Sequence, residues 1–206
     1  MALVKHNNNS ISAVTSMASL TTGSMVLIKE QTASSSASIS FVDGSSDVVL
    51  DSTYPIYKFE FINCHPATNN VQFQVGFRDG ATNYDAVKTT TIFRAFHNES
   101  GSTTSLEYAT ASDLAQSTDF QTLGNAIGNE NDECCSGYLH LFNPSSTTFV
   151  KHFTARANLY HPSNFTVDEF IAGYCNTTVA IDGVQFKFSS GNIDSGTIKL
   201  YGIKDS

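Results

Sequence analysis

Tryptophan is absent from this chain of 206 residues, only 15% of the residues are charged, and acidic residues outnumber basic ones by 19 to 11. A nucleic-acid interface requires a basic stripe or patch, so the net charge of −8 argues against nucleic acid as a partner. No apolar run approaches the roughly 18 residues that cross a bilayer, and we therefore predict no membrane insertion. The first residues also lack the continuous apolar segment of a secretion signal.

Cysteine is scarce as well, with four residues, of which Cys134 and Cys135 are adjacent. A disulfide between sequence neighbours is strained, so we expect these two, together with Cys64 and Cys175, to be reduced in a chain that folds in a cytosol. The zinc-type spacings Cys-x-x-Cys and His-x-x-x-His are missing. We predict no metal, and we assign the histidines to packing between strands or at interfaces.

The acidic run 129–133 offers oxygen ligands for calcium, but it lacks the turn glycine of an EF-hand loop. A solvated acidic loop is the preferred interpretation of this run.

Motifs for catalysis are also lacking. The chain contains no Gly-x-Ser-x-Gly motif and no glycine-rich loop of the kind that cradles phosphates. Few carboxylates fall on the segments that we predict as strands, although a pair about 5–10 Å apart would raise the prospect of glycoside hydrolysis. We predict that the protein is not an enzyme and that it carries no cofactor.

Alternation of apolar and polar side chains is the main pattern that is present, and it accompanies 15 Phe and 8 Tyr. Apolar residues recur at every second position in Tyr57–Ile62 and Val71–Phe77, which predicts strands with one buried face. The runs Val184–Phe188 and Thr197–Ile203 alternate in the same way around a turn-rich segment, which predicts a β-hairpin. Eight to eleven such strands predict a single antiparallel β-sandwich.

Other segments carry weaker local signals. A second hairpin is expected over Gly137–Ala155, with its turn at Asn143–Ser145. One or two helical turns are expected over Ala111–Ser117, because Ser112 resembles an N-cap. Exposed loops are expected over Leu123–Cys135 and Ser163–Asp168.

The first 24 residues are polar and thinly hydrophobic, and their apolar side chains are spaced by three at Ile11, Val14, Met17 and Leu20. So little apolar surface cannot form a core of its own, and we interpret residues 1–24 as an extended N-terminal arm used for assembly. Residues 25–206 form the predicted sandwich domain.

Several stretches taken together resemble small virion structural proteins of marine tailed bacteriophages, a group that includes tail-fibre-like and capsid-decoration-like proteins. The resemblance covers roughly residues 25–206. It implies a jelly-roll-like antiparallel β-sandwich that is often trimeric, and it brings no catalytic motif. The stretches are Thr32–Phe41, Tyr57–Asn70, Phe96–Glu99, Asp113–Gln116, Leu139–Phe153, Asn176–Thr178 and Phe186–Ile203.

From the residues and this resemblance we expect a non-enzymatic structural protein of a tailed-phage virion, assembled in the host cytoplasm. It would be a capsid decoration or cement protein, or a small surface appendage, that forms a homotrimer and contacts major capsid or tail proteins. The alternative is a tail-fibre-type adhesin that recognises a glycan or protein on the host surface. Candidate surface aromatics, which serve either subunit packing or glycan binding, are Tyr84, Tyr108, Tyr160, Tyr174 and Tyr201.

Overall fold

The computed structural model describes residues 24–204, and the apolar residues of the expected arm, Ile11, Val14, Met17 and Leu20, lie outside this range. The described chain is all-β, with twelve strands and no helix. The strands are β1 (Met25–Ser36), β2 (Ile39–Val42), β3 (Ile56–Pro66), β4 (Val71–Arg78), β5 (Lys88–Asn98), β6 (Thr104–Tyr108), β7 (Gln121–Ile127), β8 (Cys135–Phe142), β9 (Lys151–His161), β10 (Phe165–Cys175), β11 (Gly183–Phe188) and β12 (Ile193–Ile203).

Two antiparallel sheets contain all of these strands. The large sheet has eight strands in the order β1-β12-β3-β8-β9-β10-β5-β6, and the small sheet has four in the order β2-β11-β4-β7. The first strand pairs with the last, β2 with β11, β3 with β8, and β4 with β7. The hairpins β5–β6 and β9–β10 extend the large sheet beyond β8. The all-β antiparallel sandwich predicted from the alternation is therefore confirmed.

The core lies between the two sheets and is rich in phenylalanine. Phe59 and Phe61 of the large sheet are fully buried, as are Phe41, Phe73 and Phe186 of the small sheet. Ring centroids meet across the sheets at 5.4 Å for Phe41 and Phe59 and at 5.2 Å for Phe61 and Phe73. Such pairs add roughly 0.5–1.5 kcal/mol each beyond the burial of their area.

The predicted C-terminal hairpin is wrong in its pairing, although its two strands and their buried faces are correct. Strand β11 lies in the small sheet and β12 lies in the large sheet, so the two face each other across the core. Alternation specifies which side chains are buried, and it cannot distinguish a hydrogen-bonded partner from a strand in the opposite layer.

Gly196 lies at a register shift in β12 with φ +128, and a Cβ there would lie 2.8 Å from the carbonyl oxygen of Asn63.

The predicted loop Leu123–Cys135 is also wrong over its first part, because β7 covers 121–127 and its residues are largely buried. Gly124 lowers the strand propensity of this segment, but it fits the close packing there: a Cβ would lie 3.1 Å from side-chain atoms of Ile127 and Leu159, which would have to shift. Only 128–134 forms a loop.

Three smaller expectations have different outcomes. The expected helical turns at 111–117 are not helical, and Ser117 instead exchanges backbone hydrogen bonds with Lys88 on β5. The expected loop Ser163–Asp168 ends early, since β10 begins at Phe165. The hairpin over Gly137–Ala155 is confirmed, because β8 pairs with β9 and Leu141 lies opposite Phe153.

Removal of one core ring tests this packing. We expect Phe186→Ala to lower the free energy of unfolding by about 3–5 kcal/mol, because the ring contacts rings on both sheets and its loss leaves a cavity. Urea denaturation followed by circular dichroism measures the change. Phe149→Ala is the matched control, since Phe149 is 69% exposed, and its effect should stay within about 0.5 kcal/mol. Equal effects of the two substitutions would contradict the packing described here.

Candidate functional site

One row of side chains crosses all eight strands on the outer face of the large sheet, and we call it the outer row. Each member lies directly opposite the next on the neighbouring strand, so consecutive side chains are in contact range. The half on β6, β5, β10, β9 and β8 is mainly aromatic, whereas the half on β3, β12 and β1 is charged. From β6 to β1 the row is Tyr108, Phe93, Phe170, Arg156, Tyr138, Glu60, Lys199 and Glu30.

The aromatic half of the outer row is held by specific contacts. The rings of Phe93 and Phe170 stack with centroids 4.9 Å apart and an interplanar angle of 4°. The guanidinium of Arg156 lies 4.7 Å from the centroid of Phe170, and its Nε donates to Oδ1 of Asp168 at 2.9 Å. The hydrogen bond to Asp168 raises the pKa of Arg156 and also holds the guanidinium in place over the ring. A rigid aromatic surface that remains exposed is typical of a contact site.

Exposed apolar residues are concentrated on this face. Of the nine large hydrophobic residues that are exposed between residues 24 and 204, seven lie on the outer face of the large sheet. Leu106 is the most exposed of them, at 73%. The seven are Met25, Leu27, Ile62, Phe93, Leu106, Tyr108 and Tyr138. Phe93, Leu106 and Tyr108 lie together on the neighbouring strands β5 and β6, whereas Met25, Leu27 and Ile62 lie on β1 and β3 towards the other end of the sheet. Clustered apolar side chains that are exposed on a monomer mark contact surfaces.

A depression runs beside the aromatic half of the outer row. Its floor is made of small side chains at Thr91, Ala172 and Thr154, which lie opposite one another on β5, β10 and β9. Two adjoining hollows of about 260 and 310 Å³ share this floor. The rings of Tyr174 and His152, 6.0 Å apart, border the depression on the side away from the outer row.

The structure distributes the five predicted tyrosines between the two sheets. Strand alternation places Tyr108, Tyr160, Tyr174 and Tyr201 on the outer face of the large sheet. Tyr84 lies instead against the small sheet, where a Cβ at Gly183 would lie 3.3 Å from its ring. The hydroxyl of Tyr160 donates to Glu99 at 2.8 Å, which raises its pKa to about 12.

Sequence reasoning missed the phenylalanines and the leucine of this face. Only tyrosines are among the predicted surface aromatics, whereas Phe93, Phe170 and Leu106 are not among the candidates. The alternation around buried Ile92 and Ile171 would have placed Phe93 and Phe170 on the opposite face. Their exposure depends on the absence of a second layer, which the sequence pattern does not reveal.

The outer face of the small sheet has the opposite chemistry. It carries amide and hydroxyl side chains, including Gln72, Gln74, Thr122 and Gln185. The segment 111–120 rises beside this face and encloses a cleft of about 440 Å³. We call it the polar cleft.

A buried carboxyl group lies on the inner face of the extended part of the large sheet. Glu169 is fully buried, and its Oε1 accepts a hydrogen bond from the backbone N–H of Asn125 at 3.2 Å. Its Oε2 has no hydrogen-bond partner among residues 24–204. Burial raises the pKa of Glu169 to about 7, although the nearby Arg94 opposes this shift.

The acidic loop is less solvated than its sequence indicated. Glu133 is only 4% exposed, its Oε2 accepts from the N–H of Glu130 at 2.7 Å, and its carboxylate lies against Gly128. No group of three or more His, Cys, Asp or Glu within the described chain is arranged to hold a metal ion. All four cysteines are free thiols, and burial raises the pKa of Cys64 to about 12.

No protein-family model, no curated protein and no solved structure matches this chain. The resemblance to phage virion proteins accordingly stays a prediction from the sequence. Residues 24–204 also include no helix of the length and apolarity needed to cross a membrane.

The buried carboxyl predicts a specific pH dependence of stability. The pKa of Glu169 is raised from 4.5 to about 7 on folding, so the folded protein retains a proton that the unfolded chain has lost between these values. Stability contributed by the neutral carboxyl is therefore complete below about pH 4.5, falls as the pH rises, and is lost above about pH 7, with a total of about 3 kcal/mol.

We expect Glu169→Gln to remove this part of the pH profile and to unfold at higher urea concentration than the wild type at pH 8. Urea denaturation between pH 4.5 and 8 measures the profile. Glu130→Gln, in the exposed loop, is the control and should keep the wild-type profile. A Glu169→Gln profile parallel to that of the wild type would contradict this account.

Proposed function

We propose that the protein is a non-enzymatic structural protein of a tailed-bacteriophage virion, a capsid decoration or cement protein or a small surface appendage, and that it assembles as a homotrimer. The outer face of the large sheet is the proposed subunit contact. The concentration of exposed apolar residues on that face is the observation that carries the proposal. The sequence resemblance supplies the virion context.

The strand connectivity supports this assignment. Eight strands pair as one long folded hairpin, first with last and second with second-last, when the inserted hairpins β5–β6 and β9–β10 are set aside. We infer that this is a jelly roll, since that fold contains eight strands in two sheets with the same nested pairing. Viral capsid domains commonly use jelly rolls, and so do lectins.

The charges of the outer face favour contact with a second copy of the chain. Lys58 pairs with Glu60 at 2.6 Å, Lys199 pairs with Glu30 at 3.2 Å, and Arg156 pairs with Asp168. These pairs neutralise one another within each subunit. The face can therefore approach another copy with little local repulsion despite the overall charge of −8.

The shape of the face suits a closed ring of subunits, of which the proposed trimer is one case. In a closed ring, the surface that a subunit offers differs from the surface that it receives. Edge strand β6 presents the protruding Leu106 and Tyr108, whereas β5, β9 and β10 present the depression floored by small residues. The protruding side chains of β6 and the depression over β5, β9 and β10 therefore lie next to each other on one face, where one could be offered to a neighbouring subunit and the other could receive it.

A tail-fibre-type adhesin is the second candidate function. It requires a ligand site that stays accessible when the assembly face is covered. The polar cleft meets this condition because its floor lies on the small sheet, while its wall reaches the edge of the assembly face through the hydrogen bond from Tyr108 to Asp113.

Subunit mass tests the assembly proposal. We expect size-exclusion chromatography with light scattering to give three times the 22.3 kDa chain mass for the wild type. Phe93→Glu and Leu106→Glu each place a charge on the proposed contact, and we expect each to raise the dissociation constant at least about tenfold. Gln185→Glu adds the same charge to the small sheet and should leave the mass unchanged. A monomeric wild type, or trimers unaffected by both substitutions, would sink the proposal.

Location on the particle is tested separately. We expect antibodies against the chain to label intact phage particles in electron micrographs, on the capsid for a decoration protein and at the tail for an adhesin. Particles that contain no copy of the chain, by labelling and by mass spectrometry, would rule out the virion assignment.

A further inference from the structure

We propose that the polar cleft binds a neutral saccharide. The cleft lies between the outer face of the small sheet and the segment 111–120. Its volume of about 440 Å³ falls in the roughly 300–1,000 Å³ range of small-molecule sites. The inference supplies a ligand class to the second candidate function and rests on it, whereas the assembly proposal is independent of it.

The wall of the cleft is fixed in place. The N–H of Lys88 donates to the carbonyl of Ser117 at 2.8 Å, and the N–H of Thr90 donates to the carbonyl of Leu114 at 2.9 Å. Segment 111–120 is thereby tied to β5 in the large sheet. A cleft with a tethered wall is preformed, which reduces the entropic cost of ligand binding.

The floor of the cleft presents oriented amides. Gln72 accepts hydrogen bonds from Nε2 of Gln74 at 3.1 Å and from Oγ1 of Thr122 at 3.2 Å, and it donates to Asn125 at 3.3 Å. This network fixes the amide of Gln74 by its nitrogen. Oε1 of Gln74 receives no hydrogen bond from the described chain and can accept a hydrogen bond from a ligand.

The charged groups of the cleft are not paired with each other. Lys187 lies over the ring of Phe120, with Nζ 4.2 Å from the centroid, and forms no ion pair or hydrogen bond with other residues of the described chain. Asp113 accepts from the hydroxyl of Tyr108 with Oδ2 alone, and Asp119 uses Oδ2 for the hydroxyl of Ser117. Oδ1 of each carboxylate is therefore unused within residues 24–204.

This combination of unused donors and acceptors identifies the ligand class. A sugar hydroxyl can donate to a carboxylate or an amide oxygen and accept from an ammonium or an amide N–H, so one ring can engage several of these groups at once. Two carboxylates against one ammonium disfavour polyanions such as nucleic acids and sulfated or sialylated glycans. Leu114 and Phe120 add apolar wall for the C–H faces of a sugar ring.

The experiment uses the full chain and, as neutral probes, the methyl glycosides of glucose, galactose, mannose, N-acetylglucosamine and N-acetylgalactosamine. Glucuronic acid and sialic acid are the charged probes for comparison. Saturation-transfer NMR detects binding, and calorimetry measures the dissociation constant. We expect at least one of these neutral glycosides to bind. Gln74→Ala and Asp119→Asn should each weaken binding at least about tenfold, because each removes an acceptor for a sugar hydroxyl.

Glu130→Gln in the exposed loop 128–134 is the control, because it makes the same carboxylate-to-amide change away from the cleft and from the outer row, and it should leave saccharide binding unchanged. The inference would be overturned if none of the neutral glycosides binds, or if both cleft variants bind as tightly as the wild type. Stronger binding of glucuronic acid or sialic acid than of the neutral glycosides would also overturn it. Measurement of the subunit mass on the same samples separates the two ideas, since a trimer that binds no saccharide refutes the cleft and leaves the assembly proposal standing.

Discussion

Phenylalanine packing between the two sheets is the constraint on which the rest of the structure depends. Rings of the small sheet meet rings of the large sheet at Phe41–Phe59, Phe59–Phe186, Phe61–Phe73 and Phe77–Phe153, with centroids 4.8–5.5 Å apart. These contacts use the inward side chains of every strand involved. Strand alternation then assigns the intervening side chains to the two outer faces, where their chemistry is free to serve contacts with other molecules.

The outer face of the large sheet is uncovered because the small sheet and the segment 109–120 pack on its inner face. Strand β7 of the small sheet, together with the segment 109–120, covers the inner face of β9, β10 and β5. Two fully buried lysines, Lys88 and Lys151, are the first residues of β5 and β9 and lie at the edge of this covered inner face. Lys88 donates a hydrogen bond to the carbonyl of Ala86 at 2.6 Å, and Lys151 donates to the carbonyl of Thr177 at 3.0 Å. No second layer of the described chain lies on the outer side, which leaves Phe93, Leu106 and Tyr108 in solvent.

The two outer faces suggest a division of labour. The charged side chains of the aromatic face form ion pairs within the subunit. What this face leaves exposed is apolar area, and apolar area favours association of subunits. The outer face of the small sheet carries amides and unpaired charges, so it offers hydrogen-bond donors and acceptors to a ligand. A protein with both faces can be held in an assembly by one and still meet a polar ligand with the other.

Local alternation predicted most of the strands and their buried faces, because a period of two depends only on neighbouring residues. The identity of strand partners depends on long-range pairing, which is why β11 and β12 were joined in one hairpin although they lie in different sheets. Strand β7 is missed because Gly124, Gly128 and the acidic run 129–133 indicate a loop over Leu123–Cys135, yet Leu123 and Gly124 are buried. The tyrosines are predicted as surface residues because tyrosine offers an amphipathic contact area, whereas the exposure of Phe93 depends on the absence of a second layer over the outer face, which no local pattern encodes.

An experimental structure of the purified oligomer tests the central claim most directly. The account predicts a three-fold assembly in which Phe93, Leu106 and Tyr108 of each subunit are removed from solvent by a neighbouring copy, while the polar cleft remains open. An assembly that leaves these three side chains in solvent, or that buries the small sheet instead, would contradict it.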